Sequence, residues 1–588
     1  MKKIYKSIFF YGLLATTSLI MGSCGDAFDY PDWQIIDDKQ SDTSGGDGID
    51  MGDVSDEVLE GELRQAMEYV IDFREHKYQY QRNTNIDVFA GYCTVSKSKF
   101  DFGQPLYHTY DYPNGYYGGP LGESQKLFPQ LYHAYFFAES HGNPEWKAIA
   151  QILYAYSMHE LVDFFGVIPY NDYRKLKETN PLEYLSCEDT YKAIFTDLEE
   201  AIATLKEKKP SAEMLKRVEG EKEGYSKGDW KNWVRFANSI RLRMALNMVK
   251  VNPGDAQTIA ESAANDEIGL LTEDFGLPTD NGSTYQHPLH KISAEWEDSR
   301  LGASLENIMK RYNNPLLEVW FSKNGAVINS KTSGKKTLDV AKECVGMRQG
   351  CSVDPSPAEN GYKAFSKFQV KYMPRNFFKV TEVLFLLSEA KLRNWNVGGT
   401  SAKDFYEQGI RKVFEENGLS GAADAYLKQT AANTKIVYKD YYQPEFSETD
   451  QTRGVQVGVK WDEGDSDEVK LEKIVTQKYI ANFPQSAEAW TTFRRTGYPR
   501  LFPVVEEVNG VPRNWPDKSF DNELQIRRIP FGESTSNEQV NIPNIEVDDK
   551  KLNYWKLESH FKRARFIRQN RQKDAMKIIV SFQRIFNS

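Results

Sequence analysis

Residues 107–117 read YHTYDYPNGYY, with five tyrosines, Asp111 and Asn114 in one Pro/Gly turn. A sugar ring has an apolar C–H face and a rim of hydroxyls. Holding one in water takes flat aromatic surface beside a few planar amide or carboxylate groups. Tyr107, Tyr110, Tyr112, Tyr116 and Tyr117 supply that surface, and Asn114 supplies an amide. The plainer alternative is that these rings cover the helices beneath them, which suits any one tyrosine better than the whole group. Trp296, in SAEWEDS, and Trp320, in LEVWFSK, are weaker candidates for the same work and are equally compatible with ordinary core.

Reactive spacing is scarce elsewhere. His287 and His290 flank Pro288-Leu289. Without an HExxH pattern they read as two surface histidines in a loop, not as a metal pair. There is no GxSxG, P-loop or dinucleotide-binding fingerprint. The acidic run Asp462–Glu468 lacks the ligand spacing of a calcium loop and reads as solvated. Paired glycosidase carboxylates would carry no local signature, and nothing singles out two among 84 acidic residues. No catalytic residue, metal ligand or cofactor is assigned.

Cys24 is the other chemically marked position. Lys2, Lys3 and Lys6 precede a mostly apolar stretch, Ile8–Ile20, and Gly22-Ser23 lead into the cysteine. That is the layout of a secretory signal, with an apolar core too short to span a bilayer. An ordinary cut before Cys24 would put Met21 where a small residue is wanted. The stretch resembles a bacterial lipobox instead, with Met21 in place of the usual leucine. On that reading residues 1–23 are removed and Cys24 is lipidated; a secreted protein with an incidental cysteine is the alternative. Each buried CH₂ contributes about 0.8 kcal/mol, so two or three acyl chains hold firmly.

Composition narrows the partners. The chain has 588 residues and a net charge of −10. Loss of residues 1–23, with three lysines and no acids, makes it −13. An acidic chain is a poor partner for nucleic acid. Cys93, Cys187, Cys344 and Cys351 are too few for a disulfide framework. Cys344 and Cys351 fit either one local bridge or two buried thiols. Residues 37–53, DDKQSDTSGGDGIDMGD, are acidic and poor in apolar groups, which reads as a tether. Residues 24–54 then carry the anchor, and 55–588 form one folded body.

The elements that would position the tyrosines are helices. Ser55 is a plausible cap ahead of Leu59, Leu63, Met67 and Val70. Asn143-Pro144-Glu145 starts a helix carrying Trp146, Ile149, Leu153 and Tyr156, which Gly166 should end. Ser186 to Asp189 resembles a capping box for the next helix. Two more run from about Trp230 to Val249 and from Asp255 to Asn265, separated by Pro253. Residues 378–418 form two helices about an NVGG turn, as in tetratricopeptide units. Long aromatic-rich loops cover 100–122, 275–300, 312–375, 430–470 and 503–550. The fold expected is mostly α: paired helices as a scaffold, long aromatic loops and little β structure.

Six segments, taken in order, resemble the SusD/RagB family of nutrient-binding outer-membrane lipoproteins. They are AYSMHELVDFFGVIPY (155–170), SCEDTYKAIFTDLEEAIATL (186–205), WVRFANSIRLRMALNMV (233–249), TEVLFLLSEAKLRNW (381–395), VTQKYIANFPQSAEAWTTFRRTGYPRL (475–501) and LQIRRIPFGESTSNEQ (524–539). The resemblance implies about eight paired helices with loops packed on one side. It implies a place on the outer face of the outer membrane, a SusC-like TonB-dependent barrel as partner, and capture of an oligosaccharide or another nutrient without catalysis. It points to the loop ahead of the Tyr132–Glu139 helix, here Tyr107–Tyr117, as a source of aromatic ligands. Asn238, Arg241, Arg494, Arg495 and Tyr498 read as structural. A non-glycan nutrient is the main alternative; a lipid-anchored glycoside hydrolase and a purely structural surface protein are the rivals from other classes.

Overall fold

Helices begin where short polar side chains close the first turn. In the computed structural model, Ser186 Oγ accepts the Asp189 amide at 3.0 Å and opens the helix Cys187–Lys208. Ser401 caps Ala402–Glu416 in the same way, and the Asp404 carboxylate accepts the Ser401 amide in return. Gly166, at φ +87°, closes Pro144–Phe165, since a left-handed residue there costs glycine little. One expected start is displaced. Pro253 does not separate two helices but occupies the first turn of Pro253–Ala264, capped by Asn252. Its fixed φ and missing N–H suit a first turn, where the amide would have no partner within the helix.

The structure describes residues 55–97, 119–176, 182–220, 224–277, 286–323, 342–354 and 360–505, with residue 356 and short pieces within 327–339 and 507–529. Its longer helices are α1 (Asp56–Val70), α2 (Leu127–Phe137), α3 (Pro144–Phe165), α4 (Cys187–Lys208), α5 (Trp230–Met248), α6 (Pro253–Ala264), α7 (Val380–Leu392), α8 (Ala402–Glu416), α9 (Asp467–Asn482) and α10 (Ser486–Thr496). Sequence neighbours pack as pairs: α1 on α2, α3 on α4, α5 on α6, α7 on α8 and α9 on α10. The pairs join through α2–α3, α4–α5, α5–α7 and α7–α9. Each pair thus buries the apolar face that its neighbour would leave exposed. Between α7 and α8 the approach is close: a Cβ on Gly409 would stand 2.8 Å from the Phe385 ring.

Strands are short. β1 (Cys93–Val95) and β3 (Ser299–Leu301) pair antiparallel, as do β2 (Phe275–Leu277) and β4 (Arg375–Phe378). They carry aromatic rings into the helical core. Phe236 of α5 stacks on Phe275 with centroids 4.3 Å apart, and Tyr225 stacks on Phe377 at 4.4 Å. Much of the chain's aromatic content is used in this way, as mortar between loops and helices.

Buried charges tie distant helices together. Arg495 of α10 donates two 2.7 Å hydrogen bonds to Glu389 of α7. The guanidiniums of Arg495 and Arg393 overcome the effect of burial and hold the Glu389 carboxyl well below the usual range. Arg494 donates to the carbonyls of Asp163 and Arg527. Arg241 reaches Asn238 and Glu199, and Tyr498 donates to Glu468. Cys344 and Cys351 are both buried thiols, not a disulfide. Asp462–Gly464 and Ser466–Glu468 are exposed, with Asp465 half-buried.

Candidate ligand-binding face

Tyr107, Tyr110, Tyr112, Asn114, Tyr116, Tyr117 and Cys24 lie outside the described residues. The two ends of the tyrosine segment are described. On the outgoing side, β1 pairs with β3 in the register Cys93↔Leu301, Thr94↔Arg300 and Val95↔Ser299. Ser96 continues that edge: its amide donates to the Asp298 carbonyl at 3.0 Å and its hydroxyl to the Glu297 carbonyl at 2.7 Å. Lys97 Nζ meets the Asp298 carboxylate at 2.5 Å. On the return side, a Cβ on Gly119 would stand 2.5 Å from the Tyr80 carbonyl oxygen, so only glycine fits that approach. Tyr80 belongs to a π-helical turn, Gln79–Asn83, and Gln79 Nε2 donates to Asp298 at 2.8 Å. The chain flanking each end of 98–118 thus meets one of two turns, Glu297–Asp298 and Gln79–Asn83, which the Gln79–Asp298 bond joins.

Trp296 stands beside this stem, two residues before Asp298. It is half-buried, its amide donates to the Lys291 carbonyl at 2.8 Å, and Lys291 Nζ lies 5.5 Å from the ring centre. Glu297 follows, paired with Lys367 at 2.8 Å. Burial would raise the Glu297 carboxyl, but Lys367, Arg300 and Lys363 outweigh it and hold it below the usual range. Arg300 fixes the turn from behind. Wholly buried, it donates to the carbonyls of Ser293, Ser299 and Lys363, and burial pushes its guanidinium down to about 10. The result is a rigid edge carrying an indole, carboxylates and ammonium groups, which suits stacking and hydroxyl recognition. Arg300, Asp298 and Gln79 had no local signature, because their partners lie far along the chain.

Trp320 has a different setting. It is 1% exposed, stacks on Phe483 with centroids 5.0 Å apart, and donates its indole N–H to Asn417 at 2.9 Å. Its ring borders an internal cavity, not the Trp296 edge. The reading of His287 as a surface residue is corrected. It is 4% exposed and packs edge-on against Phe73, Tyr78 and Phe368. Three separate segments supply those rings, so the HPLH stretch alone could not show the burial. Among the described residues no cluster of three or more potential metal ligands occurs, and no helix is long and apolar enough to cross a membrane.

Five stacked helix pairs, with loops between them that carry the Trp296 edge, make a paired-helix scaffold. The chain belongs to the SusD-like family, described as SusD and RagB outer membrane lipoprotein, whose model matches residues 51–553. A chitin-binding SusD homologue from Flavobacterium johnsoniae is 29% identical, with a TM-score of 0.69 over 82% of this chain and 94% of that one. A SusD-like protein from Bacteroides thetaiotaomicron is 28% identical, with a TM-score of 0.68 over 82% and 94%. A SusD homologue from Bacteroides uniformis is 27% identical, with a TM-score of 0.69 over 83% and 95%. No curated protein matches the chain.

Proposed function

We propose that this chain is a cell-surface lipoprotein that binds an oligosaccharide and delivers it to a SusC-like TonB-dependent barrel. Residues 1–23 are the signal peptide, Cys24 carries the lipid, residues 24–54 are the tether, and 55–588 form the ligand-binding body. The observation that carries this reading is the likeness, at 29% identity over 82% of the chain, to a homologue that binds chitin. The edge around Trp296 supports it, because Ser96 and Lys97, which lead into the segment with Tyr107, Tyr110, Tyr112, Asn114, Tyr116 and Tyr117, bond to Glu297 and Asp298 next to that indole in sequence. Family membership favours binding over catalysis, and the edge offers an indole and fixed charges. Chito-oligosaccharides are the first ligands to try.

Calorimetry against a glycan panel that includes chito-oligosaccharides tests the proposal. Saturable binding of one glycan class is expected. Binding of peptides or metal chelates, with none to any glycan, would move the ligand class. Co-purification of the solubilised protein with a barrel encoded beside it is expected to show the partner.

A further inference from the structure

The turn that carries Trp296 is cationic, on a chain whose net charge is −10. Two of its ammonium groups are matched one to one: Lys97 meets Asp298 at 2.5 Å, and Lys291 meets Glu75 at 3.0 Å. Three further cations share a single carboxylate. Lys367 Nζ lies 2.8 Å from Glu297 Oε1, Arg300 Nη2 lies 3.9 Å from the same oxygen, and Lys363 Nζ lies 3.8 Å from Oε2. Counting the exposed Glu295 still leaves positive charge in excess among the described residues.

Glu297 does not satisfy all three. Burial works to raise its carboxyl, but Lys367, Arg300 and Lys363 outweigh burial and keep it ionised. One carboxylate beside three cations still leaves two of them without a counter-charge. Arg300 is wholly buried, and its Nη1 and Nη2 donate to carbonyls of the chain. Lys363 is the open donor. At 3.8 Å its Nζ is beyond hydrogen-bond reach of Glu297, it has no other acceptor among the described residues, and its side chain is 31% exposed.

Both lysines stand on braced backbone. Arg300 Nη2 donates to the Lys363 carbonyl at 2.9 Å, and the Lys367 carbonyl accepts the Ser322 amide at 2.9 Å. Asn360 donates its side-chain amide to the Ser96 carbonyl at 2.8 Å, which ties the turn Gly361–Ala364 to the strand edge beside Glu297. Glu297 itself sits at φ +61°, a left-handed conformation that a residue with a Cβ adopts at some cost. The Ser96 hydroxyl, donating to the Glu297 carbonyl, and the Asp298 amide, donating to the Ile292 carbonyl at 2.9 Å, hold that form. Exposed ammonium groups in excess attract anions and reward them with charge-assisted hydrogen bonds. A face for neutral sugars alone has no use for them. Resting on the oligosaccharide reading, we infer that the glycan taken at the Trp296 edge carries an anionic group, a carboxylate or a sulfate ester, bound by Lys363 with Lys367 beside it, while a ring of the same glycan lies on the indole.

The test is calorimetry of the full chain with three tetrasaccharides: chitotetraose, which is neutral, an oligogalacturonide, which carries carboxylates, and a κ-carrageenan fragment, which carries sulfates. At least one anionic probe is expected to bind about tenfold or more tighter than chitotetraose, and which one it is separates the two anion chemistries. That margin should shrink between about 50 mM and about 500 mM sodium chloride, as the salt screens the lysines. Lys363→Met should remove most of the margin and Lys363→Arg should keep it, with the melting temperature nearly unchanged in both. Glu297→Gln takes away the competing carboxylate and should tighten binding of the anionic probe severalfold, a gain that a merely structural lysine cluster would not give. Chitotetraose binding as tightly as both anionic probes would overturn the assignment and leave the oligosaccharide reading standing. A margin that survives Lys363→Met combined with Lys367→Met would overturn it as well. So would failure of all three probes to bind, and the wider glycan panel then decides whether the oligosaccharide reading falls with it.

Discussion

Arg243 and Glu382 form a two-bonded ion pair in the core, Nε to Oε1 at 2.7 Å and Nη2 to Oε2 at 2.9 Å, across 139 residues of sequence. The guanidinium also lies 3.9 Å from the Phe378 ring centre, and Asn482 donates to the same carboxylate at 3.0 Å. One pair therefore joins α5, α7, α9 and β4. Removing one buried partner strands the other charge. Glu382→Ala should cost about 3–5 kcal/mol, read by chemical denaturation. The double change Arg243→Met with Glu382→Leu should recover most of that loss, because no bare charge remains. A single variant as stable as wild type would show that the pair does not hold the helices together.

Gly409 tests the pairing of α7 with α8. A Cβ there would press 2.8 Å into the Phe385 ring, far inside ordinary contact. Alanine is the better helix former by about 1 kcal/mol, which opposes the clash. Overpacking of a closed core typically costs about 1–3 kcal/mol. Gly409→Ala should therefore lower the melting temperature modestly, and Gly409→Val should lower it much further. A rise on Gly409→Ala would mean that the two helices separate at little cost.

Local signals in the sequence carried the helix pairs well. Ser186 with Asp189, and Pro144 followed by an apolar face, act within a few residues, so their physics is visible in a short window. The helix expected from Asp255 starts two residues earlier, with Pro253 in its first turn. The tertiary setting was less legible. Trp296 and Trp320 look alike in sequence, yet one is half-buried at the loop stem and the other is sealed against Phe483. His287 reads as exposed in its own stretch because Phe73, Tyr78 and Phe368 reach it from distant segments. Arg300 and Glu382 owe their roles to partners that no local pattern names.

Asp440 gives a pH-dependence with a definite sign. It is buried, accepting from the hydroxyls of Tyr362 and Tyr438 and from the amides of Tyr442 and Gln443. Burial outweighs those bonds and raises its carboxyl from 3.8 to about 6. The folded state then binds a proton between about pH 4 and pH 6 that the unfolded chain does not. That proton favours folding at low pH, and the benefit is lost as pH rises through 6. The shift corresponds to about 3 kcal/mol at 1.36 kcal/mol per unit. Asp440→Asn should therefore compare more favourably with wild type at pH 7 than at pH 4, by up to that amount. Equal differences at the two pH values would show that Asp440 ionises normally.

Cys24 decides the proposed location. Cys24→Ala should leave the protein soluble after cell fractionation, whereas wild type stays with the outer membrane through a salt wash and leaves it only with detergent. Persistence of the variant in the washed membrane pellet would show that something other than acyl chains holds it there.

Trp296 is the described residue through which the glycan reading is most directly testable. Its indole is half-buried beside the stem of the tyrosine segment, and Arg300 and Asp298 fix the turn behind it. A ring held in this way loses little freedom when a sugar stacks on it. Trp296→Ala should weaken oligosaccharide binding by about 1–2 kcal/mol, near tenfold or somewhat more, and Trp296→Phe should restore part of it. Tyr116→Ala with Tyr117→Ala should add a further loss if those rings share the ligand. The fold should hardly change, since Arg300 and Asp298 keep their partners in each variant. Undiminished affinity in Trp296→Ala, with the melting temperature unmoved, would take the indole out of the site and leave the tyrosines to carry it alone.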